Sequence, residues 1–579
     1  MANRYWRGGA GTWDTTTTTN WSTSSGGAGG ASVPTAADAV FFDQAGTYTV
    51  TCTGALTCLD ITVSAGTVTF ATGTTPTFAI SGSMSLVAGT VWSATGTITF
   101  NATTTGKTIS ASGVSFAIGT TNSITFNGVG GGWTLSTGLT TSGPITFTNG
   151  TFSTGNFAMS ALRYVNSGTG TNSVSLGSSA ITATVNPTSW SFGTTTGLTF
   201  NAGTSTITLS NTAPNFLGGG LTYYNVTFDS INIGATITGA NTFNNLTVTG
   251  GGGTTLFANL SISAAQTISG TFTVTGTSQP IRLFIYSDTF GTARTVTVAA
   301  VSLTNVDFRD ITTAGAAGTW TGTSIGNAGG NTGITFTTAK TVYWNLAGSQ
   351  NWRDTGWCTA SGGTPAVANY PIPQDTAVID QSSAITTLTI NNDWNIGTLD
   401  MSLRTSAVTI ATSTNTPTIY GSWKNGTGVA LSGTGILTFA GRTTQQITSS
   451  SIAFTQPITI NSPGGTVQCT DALSVGTTNA LTFTAGTLQL KSSATSTVGS
   501  FVTSGTTLKY LQSTTSGTQA TITDASGTNT VTYLSIQDSA ATGGATFDAS
   551  AATNVNAGNN TGWTGLATPS TGSFFFMFD

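Results

Sequence analysis

The 579-residue chain contains no histidine and no glutamate. All 18 acidic residues are aspartates, Lys and Arg together number 14, and only 6% of the chain is charged. Without histidine there is no Ser–His or Cys–His nucleophile pair and no imidazole to ligate a metal. Without glutamate, and with so little Lys and Arg, the residues that build helix surfaces are missing. The net charge of −4 leaves no basic stripe to neutralise phosphates, which argues against nucleic acid as a partner. No apolar run reaches the length of a transmembrane helix, so no membrane insertion is expected. The residues after Met1-Ala2-Asn3-Arg4 are Gly- and Thr-rich rather than an apolar signal core, so synthesis in a cytoplasm without standard export is expected. Cysteine is scarce too: Cys52, Cys58, Cys358 and Cys469 are the only four. Cys52 and Cys58 straddle a short turn and are spaced to pair. Their spacing fits no zinc pattern, and the plainer reading is four small buried apolar residues. No metal or other cofactor is implied.

What remains is glycine (75 residues), threonine and a thin, even spread of apolar residues that make up 37% of the chain. That balance is not the charged, apolar-poor profile of disorder. Short triplets of apolar-Thr-apolar recur: Val68-Thr-Phe70, Ile98-Thr-Phe100, Ile124-Thr-Phe126, Ile145-Thr-Phe147, Leu198-Thr-Phe200, Val226-Thr-Phe228, Leu246-Thr-Val248, then Leu437-Thr-Phe439 and Leu481-Thr-Phe483. Alternation with period two puts both apolar residues on one face and Thr on the other. Threonine's branched Cβ suits the pleat, and its hydroxyl faces water or its counterpart on the next coil. Recurrence roughly every 20 to 30 residues, with Gly, Asn and Ser at the corners, predicts an all-β, elongated parallel β-solenoid. About two dozen coils at ~4.8 Å each would make a rod on the order of 100 Å. Stacked β-sandwiches, which also alternate over short strands, are the alternative.

The design is used twice. Tyr5-Trp6, Trp13, Asn20-Trp21, Pro34 and Asp38-Ala-Val-Phe-Phe-Asp43-Gln44 return as Tyr343-Trp344, Trp352, Trp357, Pro373 and Asp375-Thr-Ala-Val-Ile-Asp380-Gln381, with the acidic bookends equally spaced. Each copy also closes alike, on Asn327-Ala-Gly-Gly-Asn331-Thr-Gly and Asn556-Ala-Gly-Asn-Asn560-Thr-Gly. The expected organisation is a Trp/Gly-rich cap (1–50), a solenoid body (51–341), a second cap (342–385), a second body (386–566) and an aromatic tail (567–579). A solenoid's first coil exposes an apolar face and an unpaired edge, and something must cover them. Trp6, Trp13, Trp21, Trp344, Trp352 and Trp357 are the candidates for that covering. The rival reading of these rings is a sugar-stacking platform.

Catalysis by paired carboxylates has only aspartates to draw on. The candidates are Asp307 with Asp310, Asp393 with Asp400, and Asp229 alone. Asp310 has a counterpart in Asp538 at the close of the second copy, which suits turn hydrogen bonding better than chemistry. The Asp38/Asp43 and Asp375/Asp380 pairs match no known calcium-loop spacing and read as turn residues. No enzyme activity is expected.

The opening Tyr5-Trp6, Gly9-Ala-Gly11, Trp13, Asn20-Trp21-Ser22, Pro34 and Asp38-Ala-Val-Phe-Phe-Asp43 resemble the Trp/Gly-rich segments that open β-solenoid regions in tail-fibre and spike-like virion proteins of tailed bacteriophages. They also resemble those of autotransporter-like bacterial surface proteins. The closing stretch, 556–563, looks similar to segments of the same proteins. The resemblance implies a structural virion protein made in the host cytoplasm, acting in attachment to host-surface glycan or an outer-membrane component. It further implies a homo-oligomer, with a trimer favoured, bound to other tail or capsid proteins. A bacterial surface adhesin, a head fibre or capsid decoration, and a glycan-cleaving tailspike are the alternatives. The final Phe574-Phe-Phe-Met-Phe578 suits burial against another subunit or virion protein, the alternative being that it tucks into its own last coil.

Overall fold

The computed structural model describes residues 2–250 and 257–568. It is a parallel β-solenoid of about 23 turns, with half its residues in strands. The only helical element among the described residues is one 3-10 turn, Val367–Asn369. The coils stack in register. Ile98, Ile124 and Ile145 lie over one another, as do Phe100, Phe126 and Phe147, while Thr99, Thr125 and Thr146 form the outward column between them. The aromatic column stacks nearly face to face: Phe100–Phe126 at 5.2 Å and Phe126–Phe147 at 5.7 Å between ring centres. This is the period-two pattern turned into packing: each apolar pair that one coil cannot bury is covered by its neighbours. A parallel ladder running coil to coil rules out stacked antiparallel sandwiches.

Corners are set by glycine where the chain bends within one long strand. In Ile124–Leu135 the register slips between Phe126 and Gly132. A Cβ at Gly128 would sit 2.0 Å from the Ala102 carbonyl oxygen, and Gly130 has φ +77°. Only glycine meets both demands.

The described strands form two separate solenoid bodies, the first one continuous sheet of 34 strands and the second a 15-stranded sheet with one four-stranded and two three-stranded sheets beside it. The first ends at Thr323–Asn327, the second starts at Thr341–Trp344, and no strand pairing joins them. Each opens with the same fold-back. Asn3–Trp6 pairs antiparallel with Trp21–Ser22 and parallel with Ala39–Phe42. Thr341–Trp344 pairs antiparallel with Trp357–Cys358 and parallel with Thr376–Val378. Every other pairing between the described strands is parallel, so antiparallel strand pairing is confined to the two openings. The described cysteines are free, buried thiols; Cys52 and Cys58 do not pair. Burial pushes the Cys52 thiol up to about 12, which makes it a packing residue rather than a nucleophile.

Candidate functional site: the openings and the seam between the solenoids

The six tryptophans of the two opening segments are buried. Trp21 meets Trp6 edge-on at 5.2 Å and Trp13 at 5.5 Å, and all three rings lie against Phe42 of the first full coil. Trp357 meets Trp344 and Trp352 edge-on, both at 4.9 Å. The indole N–H of Trp6 donates to the Gly9 carbonyl, that of Trp344 to the Leu346 carbonyl, and that of Trp357 to the Trp352 carbonyl. Edge-on aromatic contacts of this kind add about 0.5–1.5 kcal/mol each beyond area burial. The rings lie inside the protein, so they offer no face to a sugar.

The acidic bookends fix the fold-backs. Asp38 accepts hydrogen bonds from the Ala2 and Thr35 backbone N–H groups and the Thr35 hydroxyl. Asp375 accepts from the Lys340 and Ile372 N–H groups. Burial works to raise both carboxyls. At Asp38 the Thr35 hydrogen bonds and Arg4 outweigh it and hold the group below the ordinary value. At Asp375 burial wins and the carboxyl is raised. Asp43 accepts from the Gln44 side chain, and Asp380 from the Ser382 N–H and hydroxyl.

The candidate catalytic aspartates do not converge on a cleft as a free pair. Asp307 is buried and takes two bonds from the Arg282 guanidinium, at 2.8 and 2.6 Å. Arg282 in turn donates to the Ser324 hydroxyl and to the Val306 and Ser324 carbonyls. Asp310 accepts from the Gly291 N–H and from Arg442, at 2.7 and 2.9 Å. Asp400 accepts from Ser402 and Lys424, Asp393 from the Thr416 N–H, and Asp229 from Ser230 and Thr249. Each is a turn or ladder acceptor. Among the described residues no three Cys or Asp side chains gather as a metal site, and no helix is long and apolar enough to cross a membrane.

The seam is a feature that the sequence pattern does not reveal. The second solenoid packs against the last coils of the first without any shared strand pairing. Phe257 meets Trp394 edge-on at 5.7 Å, and Phe257, Phe284 and Ala328 belong to the second solenoid's core. The Arg309 guanidinium lies over Tyr286 at 4.8 Å and Phe290 at 4.3 Å, and Arg442 covers Phe290 at 4.7 Å. Gln374 closes the first solenoid's exposed edge: its carbonyl accepts the Asn327 N–H, and its amide donates to the Ile325 and Thr337 carbonyls. Either side of the Arg442–Asp310 pair opens a cleft. One, of about 330 Å³, is lined by Asn327, Pro373, Gln374, Tyr420 and Arg442. The other, of about 460 Å³, runs from residues 290–292 across three coil corners of the second solenoid to Tyr510. The aromatic tail expected to seek a partner falls at residues 567–579, of which 569–579 lie outside the described residues.

Comparison with protein-family models, with curated proteins and with solved structures returns no match. The class defined by the structure is therefore the fold itself, a capped and duplicated β-solenoid, and the likeness to phage fibres rests on the opening and closing residues alone.

Proposed function

We propose that the chain is a structural virion protein of a tailed bacteriophage, a tail fibre or spike that works in host-surface attachment. The observation that carries the reading is a long, low-charge parallel solenoid whose aspartates are engaged in holding corners, edges and the seam. Such a molecule acts by shape and contact. The glycan-cleaving alternative needs two acids facing one substrate, one of them held protonated. Asp307 and Asp310 face Arg282 and Arg442 instead. The reading extends to a homotrimer bound to other virion proteins, located on the particle after assembly in the host cytoplasm.

Immunogold labelling of purified tailed particles from a lysate producing the chain tests it directly. Label at the tail is expected. Label on the head would favour a head fibre or capsid decoration, and label confined to the bacterial surface would favour an adhesin and overturn the virion reading. Sedimentation should give a mass near three chains, and a monomer at micromolar concentration would remove the trimer. Release of reducing ends from host polysaccharide would replace the structural role with an enzymatic one.

A further inference from the structure

We propose that the larger seam cleft binds a neutral oligosaccharide, laid along the coil corners and stacked on Tyr510. The inference rests on the attachment reading and names the contact surface. The cleft has two walls that belong to different solenoids. The Phe290-Gly-Thr292 turn forms one. The other is built from the corners of consecutive coils, within residues 461–465, 484–487 and 505–508.

Four features select the ligand. First, the lining contains no Asp, Lys or Arg; behind the Phe290 ring the Arg309 and Arg442 guanidiniums share the Asp310 carboxylate. On the lining itself an acidic polymer would find no cation, and a basic peptide no anion. Second, the polar groups offered are uncharged: hydroxyls of Thr292, Thr484, Thr487 and Thr507 and the Asn461 amide. These donate and accept alike, as sugar hydroxyls require. Third, Tyr510 is 42% exposed on a strand pinned by pairing of Leu511 to both Leu488 and Ile536. A rigid aromatic face bordered by polar groups is the surface a pyranose ring stacks on. Fourth, the corners repeat at the coil spacing of ~4.8 Å, close to the advance of one pyranose along a glycan chain. Successive sugars would then meet successive corners. Glycines 464, 465, 486 and 505 keep side chains out of the path and let the ligand approach the backbone.

The test uses the full chain with maltoheptaose, cellohexaose and mannohexaose as neutral probes, and a hyaluronan hexasaccharide as a charged comparator. Binding is read by calorimetry and saturation-transfer NMR. At least one neutral probe should bind and the hyaluronan fragment should not. Tyr510→Ala should weaken that binding about tenfold with no change in the unfolding midpoint. Thr507→Trp, at an exposed position, should abolish it by filling the cleft. Absence of binding by all three neutral probes, preference for hyaluronan, or unchanged affinity in both variants would overturn the proposal. Adsorption of fluorescently labelled chain to bacterial cells separates this from the attachment reading. Equal adsorption by wild type and both variants would sink the cleft and leave attachment standing. Neutral-probe binding lost in the variants, without adsorption of any chain to cells, would sustain the cleft and sink attachment.

Discussion

The two solenoids end on the same device but in different surroundings. In the first, Asp310 sits at φ +55° with its N–H bonded to the Gly329 carbonyl, and Asn331 ties the Ile311 N–H to the Phe308 carbonyl. In the second, Asp538 at φ +52°, Gly558 and Asn560 repeat every one of these bonds. The Gly291 N–H donates to Asp310, and the Gly517 N–H to Asp538. The spare carboxylate oxygen differs. Asp310 gives it to Arg442 across the seam, while Asp538 gives it to Asn559 of the next coil. The facing residue differs too. Gly326 is buried under Pro373, whereas its counterpart Val555 is 45% exposed. The comparison teaches that one closing motif is used in two settings, tied across the seam at Asp310 and to the neighbouring coil at Asp538. The openings make the same point. Gln374 bridges to the first solenoid's edge, and the first opening carries Ala37 at the equivalent place.

The comparison breaks hardest at the buried pair. Arg282→Met leaves the Asp307 carboxylate buried without its cation beneath the second opening, and should cost about 3–5 kcal/mol in urea unfolding. Gly326→Val copies the second solenoid's residue into the first. Its Cβ would lie 2.0 Å from an Asp307 oxygen and 2.7 Å from Pro373, so a loss of about 1–3 kcal/mol is expected. The reciprocal Val555→Gly should change stability by less than about 1 kcal/mol. Asp310→Asn should cost about 1.5–3 kcal/mol by weakening charge-assisted bonds to Arg442. It should also raise amide exchange along the seam, whereas Asp538→Asn should leave the seam unchanged. Tyr533 holds φ +51° where the first solenoid has Asn305 at φ +52°. Asn tolerates that region better, so Tyr533→Asn should raise the thermal midpoint by the equivalent of about 0.5–1 kcal/mol.

The smallest effect distinguishes the two openings by pH. The Asp38 carboxyl lies below the ordinary 3.8, so its contribution is present above that value and lost as acid carries the pH through the folded one. Asp375 is raised, so its contribution is present below 3.8 and lost as pH rises through the folded value. On acidification, amide protection at Ala39 should fall while protection at Thr376 holds or rises. Parallel loss at both openings would contradict the assignment.

The fold was legible because its signal is local. Ile98-Thr-Phe100 and its repeats declare an inward and an outward face within three residues, and the corner glycines declare the step. Duplication of the opening segment was legible in the Trp and Asp spacing. Its six tryptophans were legible as candidates, though their contacts with one another were not. Asp307 and Asp310 stood out as the densest acidic group, but their partners did not. Arg442 lies 132 residues from Asp310, and nothing in either stretch marks the other.

Alternation of threonine with apolar residues thus determined, by itself, an all-β chain of short strands with one inward face, and the repeated Trp and Asp spacing that the design starts twice. Only the tertiary structure decided that the strands wind into parallel coils rather than stacked sandwiches, that the second winding packs against the first, that Gln374 closes an edge there, and that an uncharged cleft opens beside the join. The reason is physical. Strand periodicity is settled between neighbouring residues and neighbouring coils, whereas the seam depends on which side chains two completed surfaces bring within reach of each other.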